Sequence, residues 1–406
     1  MNHQYIIIHA CSNEQAKFFL RFVKSGNQYG YYFMIITYTY SVYRYLTKYL
    51  SGNNKAVYLK RRHLRYKSYV SNSYFEKDLE CMSGYVSLSD ANRAYTAAIN
   101  FLEHLGVNNI SYIWCWNGCK IVDHALADFA HNYHIKTLFF EIANIDGKIF
   151  VDPDGTNCHS LLYKNKEVLK RFTVDESIYN VWKKEYIYNK FRQVTIKQAI
   201  SISSRKLFLD YLTDCFGFLF QGGVVKRRFP VNSIKKKLTH TSYGFANVDF
   251  TQINYVFFPL QVSTDTQILI NGNLSLLAAI TRVLHYAQEK DLYLVIKPHP
   301  ADKNPLYLHK MKQLLSTYRK TIFSNENTFK LLKNAKEVFT INSTVGLEAM
   351  ILNCPVHVFG KALYENFTED DIKRYIWGYL YNIDYWGNKD ISQEDFEHII
   401  LRAELN

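Results

Sequence analysis

Residues 339–349 read FTINSTVGLEA, and this stretch decides the fold class. An apolar run typical of a buried strand ends in Asn342, Ser343 and Thr344, where the pattern of a helix begins. A strand that passes directly into a helix is the repeating unit of parallel α/β sheets. Unpaired N–H groups at such a helix start, with the Ser343 and Thr344 hydroxyls, can bind a nucleotide phosphate. An ordinary helix cap is the alternative, because Ser and Thr fill that position routinely.

The same alternation of apolar runs and amphipathic stretches extends through most of the chain, which predicts strands that alternate with helices. Strands are expected at residues 5–9, 32–37, 56–59, 110–116, 136–141, 255–260, 292–297, 321–323, 338–341 and 356–359. Helices are expected at residues 13–24, 43–50, 91–105 (capped by Ser89 and Asp90), 122–134, 274–289, 306–318, 328–334 and 343–352.

Two series of strands and helices predict two domains. We expect one Rossmann-like domain at 1–164 and a second domain of the same class at 251–366. Residues 165–250 are aromatic and basic, and we interpret them as helical elaboration and interdomain connection. Residues 367–406 form a helical tail that can cross back to the first domain. The predicted fold class is α/β of the GT-B type, with two Rossmann-like domains that face a central cleft.

Two further strand ends of the second domain carry polar side chains. Residues 293–300 read YLVIKPHP, so Lys297 and His299 follow a strand and can donate hydrogen bonds to phosphate. Residues 257–265 read FFPLQVSTD, which places Gln261 and Asp265 after another strand. A carboxylate at such a place can act as a nucleophile toward an oxocarbenium-like centre, and a helix cap is the alternative.

The first domain offers one candidate base. Glu141 ends the predicted strand 136–141, where a positioned carboxylate can deprotonate an acceptor hydroxyl; a solvated strand end is the alternative. Asp152 and Asp154 are interpreted as parts of a turn around Pro153 and Gly155.

Composition and charge bound the possible partners. Hydrophobic residues make up 48% of the 406 residues and charged residues 21%, which excludes a disordered chain. The net charge of +13 allows nucleic acid, an anionic membrane or an anionic substrate. Without a zinc-finger spacing or an RNP-like aromatic motif, we expect no nucleic acid. Basic clusters at 60–62, 226–228 and 235–237 are solvated loops or contacts to anionic lipid headgroups.

The cysteine content and the hydropathy of the sequence indicate the cellular compartment of the protein. Seven scattered cysteines suit a reducing compartment, and Cys115 and Cys119 lack the second pair that a zinc site needs. Residues 1–8 have no basic leader region, and no run of eighteen apolar residues occurs. We therefore expect a cytoplasmic protein.

Together, these segments resemble the capsule polysaccharide biosynthesis family, in particular its KpsS-type and KpsC-type β-Kdo transferases. The resemblance runs from about residue 111 to residue 368. It is strongest at 341–347, at 294–300, at 355–364 with the pattern PVxVxGxALY, and in the spacing of Gln261 and Asp265. Four motifs in the family's order are a more specific signal than any one of them.

The resemblance implies that the domain at 1–164 is on the acceptor side and that the domain at 251–366 binds the nucleotide sugar. It also implies roles for individual residues. Asp265 corresponds to the family's catalytic nucleophile, His299 to its His-Pro motif and Glu141 to its strand-end glutamate. Transfer of Kdo from CMP-β-Kdo, with retention through an aspartyl intermediate, is the implied reaction. The residues assigned to the donor nucleotide are Gln261, Lys297, His299, Asn342, Ser343, Thr344, Gly346 and Glu348. No cofactor is implied, since the CMP-sugar is a co-substrate. We expect no metal, because such a nucleophile needs none and no DxD-type constellation convincingly binds one.

The implied partners are a nucleotide-sugar donor, a glycan or glycolipid acceptor, an anionic membrane surface and other capsule-assembly proteins. The expected location is peripheral, at the inner face of the cytoplasmic membrane, in capsule or lipopolysaccharide synthesis. Two alternatives stay open. One is a GT-B transferase with a different nucleotide-sugar donor, and the other is a non-catalytic capsule assembly or export factor.

Overall fold

The computed structural model describes residues 4–64, 70–76, 78–192, 204–228, 243–262, 274–300, 302 and 305–405. The chain divides into two compact units. The first comprises Met1–Asn165, Ile202–Pro230 and Tyr379–Asn406, and the second comprises Lys166–Ser201 and Val231–Gly378.

Strands and helices alternate along the described residues. The strands are β1 (Gln4–His9), β2 (Tyr31–Thr37), β3 (Lys55–Tyr58), β4 (Ile110–Trp116), β5 (Lys136–Ile142), β6 (Ile149–Asp152), β7 (Tyr255–Pro259), β8 (Tyr293–Lys297), β9 (Thr321–Phe323), β10 (Glu337–Thr340) and β11 (Val356–Val358). The α-helices are α1 (Asn13–Leu20), α2 (Val23–Gln28), α3 (Tyr40–Leu46), α4 (Leu79–Met82), α5 (Leu88–Leu105), α6 (Ile121–Tyr133), α7 (Leu161–Lys164), α8 (Glu176–Arg192), α9 (Ser204–Phe220), α10 (Leu276–Glu289), α11 (Pro305–Leu315), α12 (Thr328–Asn334), α13 (Thr344–Ile351), α14 (Glu369–Arg374) and α15 (Gln393–Arg402). Short 3₁₀ helices occur at Arg61–Leu64, Asn72–Phe75, Val107–Asn109, Asn157–His159 and Lys166–Arg171, and a π-helical turn at Tyr375–Tyr379.

The first unit contains a six-stranded sheet in the order β3-β2-β1-β4-β5-β6. Its strands are parallel except for β6, which runs antiparallel to β5. Alternate residues of β1 enter two different core clusters: Ile7 belongs to one, and Ile6 and Ile8 to the other. Both faces of the sheet are therefore covered, which is why its inner strands are continuous apolar runs.

The second unit contains a five-stranded sheet in the order β11-β10-β7-β8-β9, with all strands parallel. Its side chains alternate in the same way, since Val256 and Phe258 enter one core cluster while Tyr255 and Phe257 enter another. The prediction of an α/β protein with two Rossmann-like domains is confirmed.

Some predicted elements differ from the observed ones. The helix predicted at 13–24 is two helices, because i→i−3 bonds at Arg21 and Phe22 tighten the chain and end α1. Helix α3 begins three residues before the predicted 43–50. The cap of α5 is Ser87, whose hydroxyl accepts the amide of Asp90 at 3.1 Å. Strand β6 was not predicted.

The division of the chain differs from the predicted one between residues 165 and 250. Helix α8 packs within the second unit, where Tyr186 lies 5.9 Å from the ring of Phe329. Helix α9 belongs instead to the first unit, where Asp214 accepts the Ser41 amide at 2.8 Å. The predicted connecting segment is therefore divided between the two units. The chain from Tyr379 onward also lies in the first unit, with Phe396 of α15 in its core.

Candidate functional site

The candidate donor site lies at the carboxyl edge of the second sheet. Strands β10, β7 and β8 are neighbours and run parallel, so their carboxyl ends meet at one edge. Pro259 pairs with Lys297 in the β7–β8 register. Gln261 and His299 therefore each lie two residues beyond the ends of adjacent strands. In open α/β sheets this edge is where ligands bind.

An amide pair joins two of these strand ends. Gln261, which is 7% exposed, donates from Nε2 to Oδ1 of Asn342 at 2.9 Å. In return, the backbone N–H of Asn342 donates to Oε1 of Gln261 at 3.3 Å. The two residues are 81 positions apart, so the pair fixes the Asn342 turn against the end of β7.

The turn after β10 is held by its hydroxyl groups. Ser343 is the N-cap of α13, and its Oγ accepts the amide of Val345 at 3.3 Å. The Ser343 amide in turn donates to Oγ1 of Thr340 at 3.1 Å. Thr344, the first residue of the helix, is exposed. The helix cap that the sequence offered as the alternative is thus present, and it leaves the exposed start of α13 at the same edge.

Gly346, which the resemblance assigns to the donor nucleotide, packs closely against a tyrosine. A Cβ atom at this position would lie 2.7 Å from the Cε2 and Cζ atoms of Tyr364. The Tyr364 hydroxyl donates to the carbonyl oxygen of Ser343. The glycine therefore makes room for a tyrosine that holds the helix cap, and this tyrosine ends the PVxVxGxALY pattern.

Lys297 is partly buried at the end of β8. Its Nζ donates to the carbonyl oxygen of Glu326 at 2.6 Å and to Oγ1 of Thr328 at 2.9 Å. Two of the three ammonium donors are thereby engaged. Burial lowers the pKa of Lys297, although Glu326 and Glu348 oppose this effect. The cation is held at the edge of the sheet and directed toward the start of α12.

His299 follows β8 and is half-buried, and its carbonyl oxygen accepts the Asp302 amide at 3.0 Å. Asp265, the candidate nucleophile, lies outside the described residues. The described chain beyond β7 reaches Val262 at the carboxyl edge of the sheet, and Asp265 follows three positions later in the sequence. Its role as a nucleophile stays a prediction.

Glu348 is a buried carboxylate of α13 that pairs with α8. Its Oε1 lies 3.0 Å from Nζ of Lys190 and accepts the hydroxyl of Tyr186 at 3.3 Å. Separating α8 from α13 would leave the buried Glu348 carboxylate without its partner charge, which is costly. The ion pair therefore fixes α8 to α13. These contacts hold the Glu348 carboxylate against α8, and its assignment to the donor nucleotide stays a prediction.

Glu141 lies in the first unit at the carboxyl end of β5. It is half-buried, and its Oε2 accepts a hydrogen bond from Nδ2 of Asn157 at 2.8 Å. Asn157 adopts a left-handed backbone with φ of 53°, which Asn tolerates better than most residues. Burial, followed by the charge of Glu141, raises the pKa of Cys119 to about 12. The carboxylate is thus oriented by an amide donor.

Asp152, by contrast, has a structural environment. Its carboxylate accepts the backbone amides of Asp154, Gly155, Leu161 and Leu162 and the hydroxyl of Tyr379. It organises the turn after β6, as the turn interpretation expects.

Sequence reasoning missed a buried polar cluster in the first unit. Nδ1 of His9 lies 2.8 Å from Oδ1 of Asp123, and both side chains are 1% exposed. Burial raises the pKa of Asp123. Nearby, the Tyr38 hydroxyl donates to Glu80, whose other oxygen accepts the Ile121 amide at 3.1 Å. A histidine that closes the apolar run of β1 was the available signal.

A mixed-charge cleft opens beside this cluster at the start of α1. Among the side chains that line it are Glu14, Ser41, Lys206, Asp210 and Arg227. Lys206 pairs with Glu14 at 3.0 Å. Carboxylates and cations side by side can bind the hydroxyl groups of a sugar.

Within the described ranges, no three His, Cys, Asp or Glu side chains group where a metal ion could bind. None of the described helices is both long enough and apolar enough to cross a membrane.

Comparison with known proteins places the candidate donor site in a family segment. Residues 236–371 match the model of the family described as "Capsule polysaccharide biosynthesis protein". This segment contains the donor residues assigned above and Asp265. The resemblance to that family is therefore confirmed over this segment.

Two curated proteins match parts of the chain. Capsule polysaccharide export protein KpsS of Escherichia coli is 35% identical over 120 residues, covering 27% of this chain and 31% of that protein. Protein FixF of Sinorhizobium fredii is 32% identical over 133 residues, covering 30% of this chain and 29% of that protein. The chain thus matches less than a third of the length of either relative.

Several solved structures share the general fold. The β-Kdo 2,7 transferase of Thermosulfurimonas dismutans KpsC has a TM-score of 0.44 at 13% identity, over 99% of both chains. The UDP-GlcNAc 2-epimerase of Methanocaldococcus jannaschii has a TM-score of 0.31 at 10% identity, over 99% of this chain and 100% of that chain.

Proposed function

We propose that the protein is a glycosyltransferase that moves an acidic sugar, Kdo from CMP-β-Kdo, to a glycan or glycolipid in capsule or lipopolysaccharide synthesis. One observation carries this proposal. Three neighbouring strand ends of the second unit present an amide pair, a capped helix start and a lysine at one edge, within the capsule-family segment.

These groups suit the phosphate of a CMP leaving group. The start of α13 presents the exposed Thr344, whose hydroxyl can donate a hydrogen bond to an anion, and the helix dipole adds favourable potential. Lys297 contributes its remaining ammonium donor, and His299 can donate from its imidazole. Together they would stabilise negative charge as the bond between the anomeric carbon and the phosphate oxygen breaks.

The reaction proceeds in two displacements under this proposal. A carboxylate oxygen of Asp265 bonds to the anomeric carbon while CMP departs with the bonding electrons. An acceptor oxygen then displaces Asp265 as Glu141 removes the hydroxyl proton, so that configuration is retained overall. The chemistry requires no cofactor or metal ion, since the activated phosphate ester supplies the leaving group.

Substitution of Asp265 tests the proposal. The assay is release of CMP and appearance of the glycosylated acceptor, with CMP binding measured separately. We expect Asp265→Ala to retain CMP binding and to lose transfer, because the nucleophile is absent while the phosphate contacts remain. Transfer by this variant at the wild-type rate would contradict the assigned mechanism.

A non-catalytic role in capsule assembly or export is the second candidate, because the matched relative from Escherichia coli is named as an export protein. Such a protein would transfer no sugar and would need no donor. A transferase with another donor would bind the nucleotide of that donor instead of CMP. Titration with a series of nucleotides therefore separates the three candidates, which should bind CMP, another nucleotide or none.

The proposed surroundings follow from the proposed reaction. A lipid-linked acceptor would place the protein at the inner face of the cytoplasmic membrane, beside anionic lipids and other capsule-assembly proteins. The net charge of +13 supports attraction to such a surface.

A further inference from the structure

Helix α9 of the first unit has two contrasting faces. Its inward face is fixed to α3: a Cβ atom at Gly217 would lie 2.5 Å from Cγ of Tyr40, and Asp214 accepts the Ser41 amide. Asp214 also pairs with Arg227 at 2.8 Å. These buried contacts fix which side of the helix points outward.

The outward face carries a stripe of large apolar side chains. Residues spaced three or four positions apart share one face of a helix, and these side chains follow that spacing. The outer stripe of α9 consists of Phe208, Leu209, Leu212, Phe216, Leu219 and Phe220, which are between 46% and 71% exposed. Exposure is greatest at the carboxyl end, with Leu219 at 63% and Phe220 at 71%.

The outer stripe is large for a protein surface. A fully exposed side chain of this size presents on the order of 200 Å², so the stripe exposes roughly 600 Å² of mainly apolar surface. The largest apolar patch on a typical monomer is about 300–600 Å² and is often functional, so the stripe lies at the upper end of this range. Scattered exposed residues would need no partner, whereas a continuous stripe does.

Basic side chains border the stripe. The amide of Arg61 donates to the carbonyl oxygen of Gly222 at 2.7 Å, which holds residues 60–62 beside the carboxyl end of α9. The Arg61 guanidinium lies 4.7 Å from the centroid of the Phe218 ring. Arg61, Arg62 and, at the other end of the helix, Arg205 are exposed.

Carboxylates are kept away from the stripe. Asp214 is buried on the inward face, and Asp210 lines the cleft at the start of α1. Among the described side chains of α9, the outward face therefore combines apolar groups with a cation and bears no acid. Apolar side chains bordered by cations and free of acids suit the interface of an anionic bilayer.

We propose that the outer stripe of α9 docks on an anionic lipid bilayer, with its apolar side chains in the interfacial region and Arg61, Arg62 and Arg205 against the headgroups. The stripe is the face of a single helix bordered by cations, which matches a negatively charged planar surface. A second copy of this chain would bring like charges together. The inference deepens the membrane partner proposed above and does not depend on the sugar chemistry.

The sequence interpretation offered residues 60–62, 226–228 and 235–237 as contacts to lipid headgroups. Arg227 is engaged with Asp214, and residues 235–237 lie outside the described part of the chain. Purely electrostatic contact would be lost at high salt, because the Debye length falls from about 10 Å at 0.1 M to about 3 Å at 1 M. The apolar stripe adds a component of binding that salt does not screen.

Vesicle flotation of the full chain tests this proposal. The vesicles contain phosphatidylglycerol and phosphatidylethanolamine, with phosphatidylcholine vesicles as the neutral comparison. We expect the wild type to float with anionic vesicles at 0.1 M salt, and part of this binding to remain at 1 M. The double substitution Phe216→Ser with Leu219→Ser should lower the partition coefficient by about tenfold or more at both salt concentrations. Arg62→Glu with Arg205→Glu should lower it at 0.1 M salt only.

The matched control is a pair of exposed apolar residues on α8. Ile178 and Val181 are 53% and 59% exposed, and Ile178→Ser with Val181→Ser should leave flotation unchanged. Equal flotation of the wild type and the Phe216 and Leu219 variant would overturn the proposal. So would absence of flotation, or self-association of the wild type that the same variant abolishes. CMP binding, measured on every variant, reports separately on the proposed function.

Discussion

Gln261→Ala is the substitution that most directly probes how the donor edge is built. It removes a carboxamide that is 7% exposed and makes two hydrogen bonds with Asn342, at 2.9 Å and 3.3 Å. Each bond contributes about 1 kcal/mol, and the Asn342 N–H loses the acceptor that Gln261 supplies, at a further cost of about 1–3 kcal/mol. The loss is therefore roughly 3–5 kcal/mol in the free energy that holds the Asn342 turn in place.

This loss should appear in nucleotide binding as well as in stability. If the turn must be restored before CMP binds, a loss of about 3 kcal/mol corresponds to roughly 150-fold in affinity. The assays are calorimetric titration with CMP and thermal unfolding of the same samples. In a double-mutant cycle with Asn342→Ala, the two effects should be less than additive, because both substitutions break the same pair.

Asn100→Ala is the matched control for a buried amide outside the site. Asn100 is 3% exposed, and its Nδ2 donates to the carbonyl oxygen of His63 at 2.7 Å in the first unit. This variant should lose stability while keeping its CMP affinity. Wild-type CMP affinity in Gln261→Ala, or an equal affinity loss in Asn100→Ala, would refute the reasoning.

Three further predictions concern the residues around this turn and the candidate base. Ser343→Ala removes the cap of α13, and His299→Ala removes an imidazole donor. Each substitution should weaken CMP binding by about tenfold or more in a titration. Unchanged CMP affinity in both variants would exclude this edge of the sheet as the phosphate site. CMP binding should weaken as pH rises through the pKa of Lys297, which burial sets below the ordinary 10.5, because only the protonated amine binds phosphate strongly. Lys297→Arg should retain affinity to higher pH, and a wild-type profile for that variant would contradict the assignment. Glu141→Gln should slow transfer by about 10²–10⁴-fold with unchanged CMP affinity, as measured by steady-state kinetics, if Glu141 is the base.

The parallel strands were predictable because both faces of each sheet are buried, so that the strands are continuous runs of apolar residues. Residues 110–116 and 321–323 have the predicted bounds, and most other strands differ by one residue at an end. Strand β6 was missed because its signal is an antiparallel pairing with β5. The buried Asp152 carboxylate, which organises the following turn, accepts a hydrogen bond from Tyr379, 227 positions away. Such a contact is not visible in the sequence.

The residues at the donor edge were predictable from strand ends, but their partners were not. Gln261 pairs with a residue 81 positions away, and Lys297 bonds to Thr328, 31 positions away. Such contacts depend on strand order, which a single sequence does not display. Gly346 illustrates the consequence, since its neighbour Tyr364 gives it a packing role.

The outer stripe of α9 shows a similar limit. The apolar sequence around Phe216 is compatible with a helix that is buried on any side. Only the contacts of Gly217 and Asp214 with α3 decide which side chains remain exposed.

Thermal unfolding of the full chain with CMP, compared with UMP and UDP, tests the central claim most directly. A nucleotide that binds only the folded protein stabilises it by about 2.7 kcal/mol at a hundredfold excess over Kd. We predict that CMP raises the unfolding temperature, that UMP and UDP do not, and that Ser343→Ala reduces the shift. A shift with UDP alone, or none with any nucleotide, would contradict a CMP-sugar transferase.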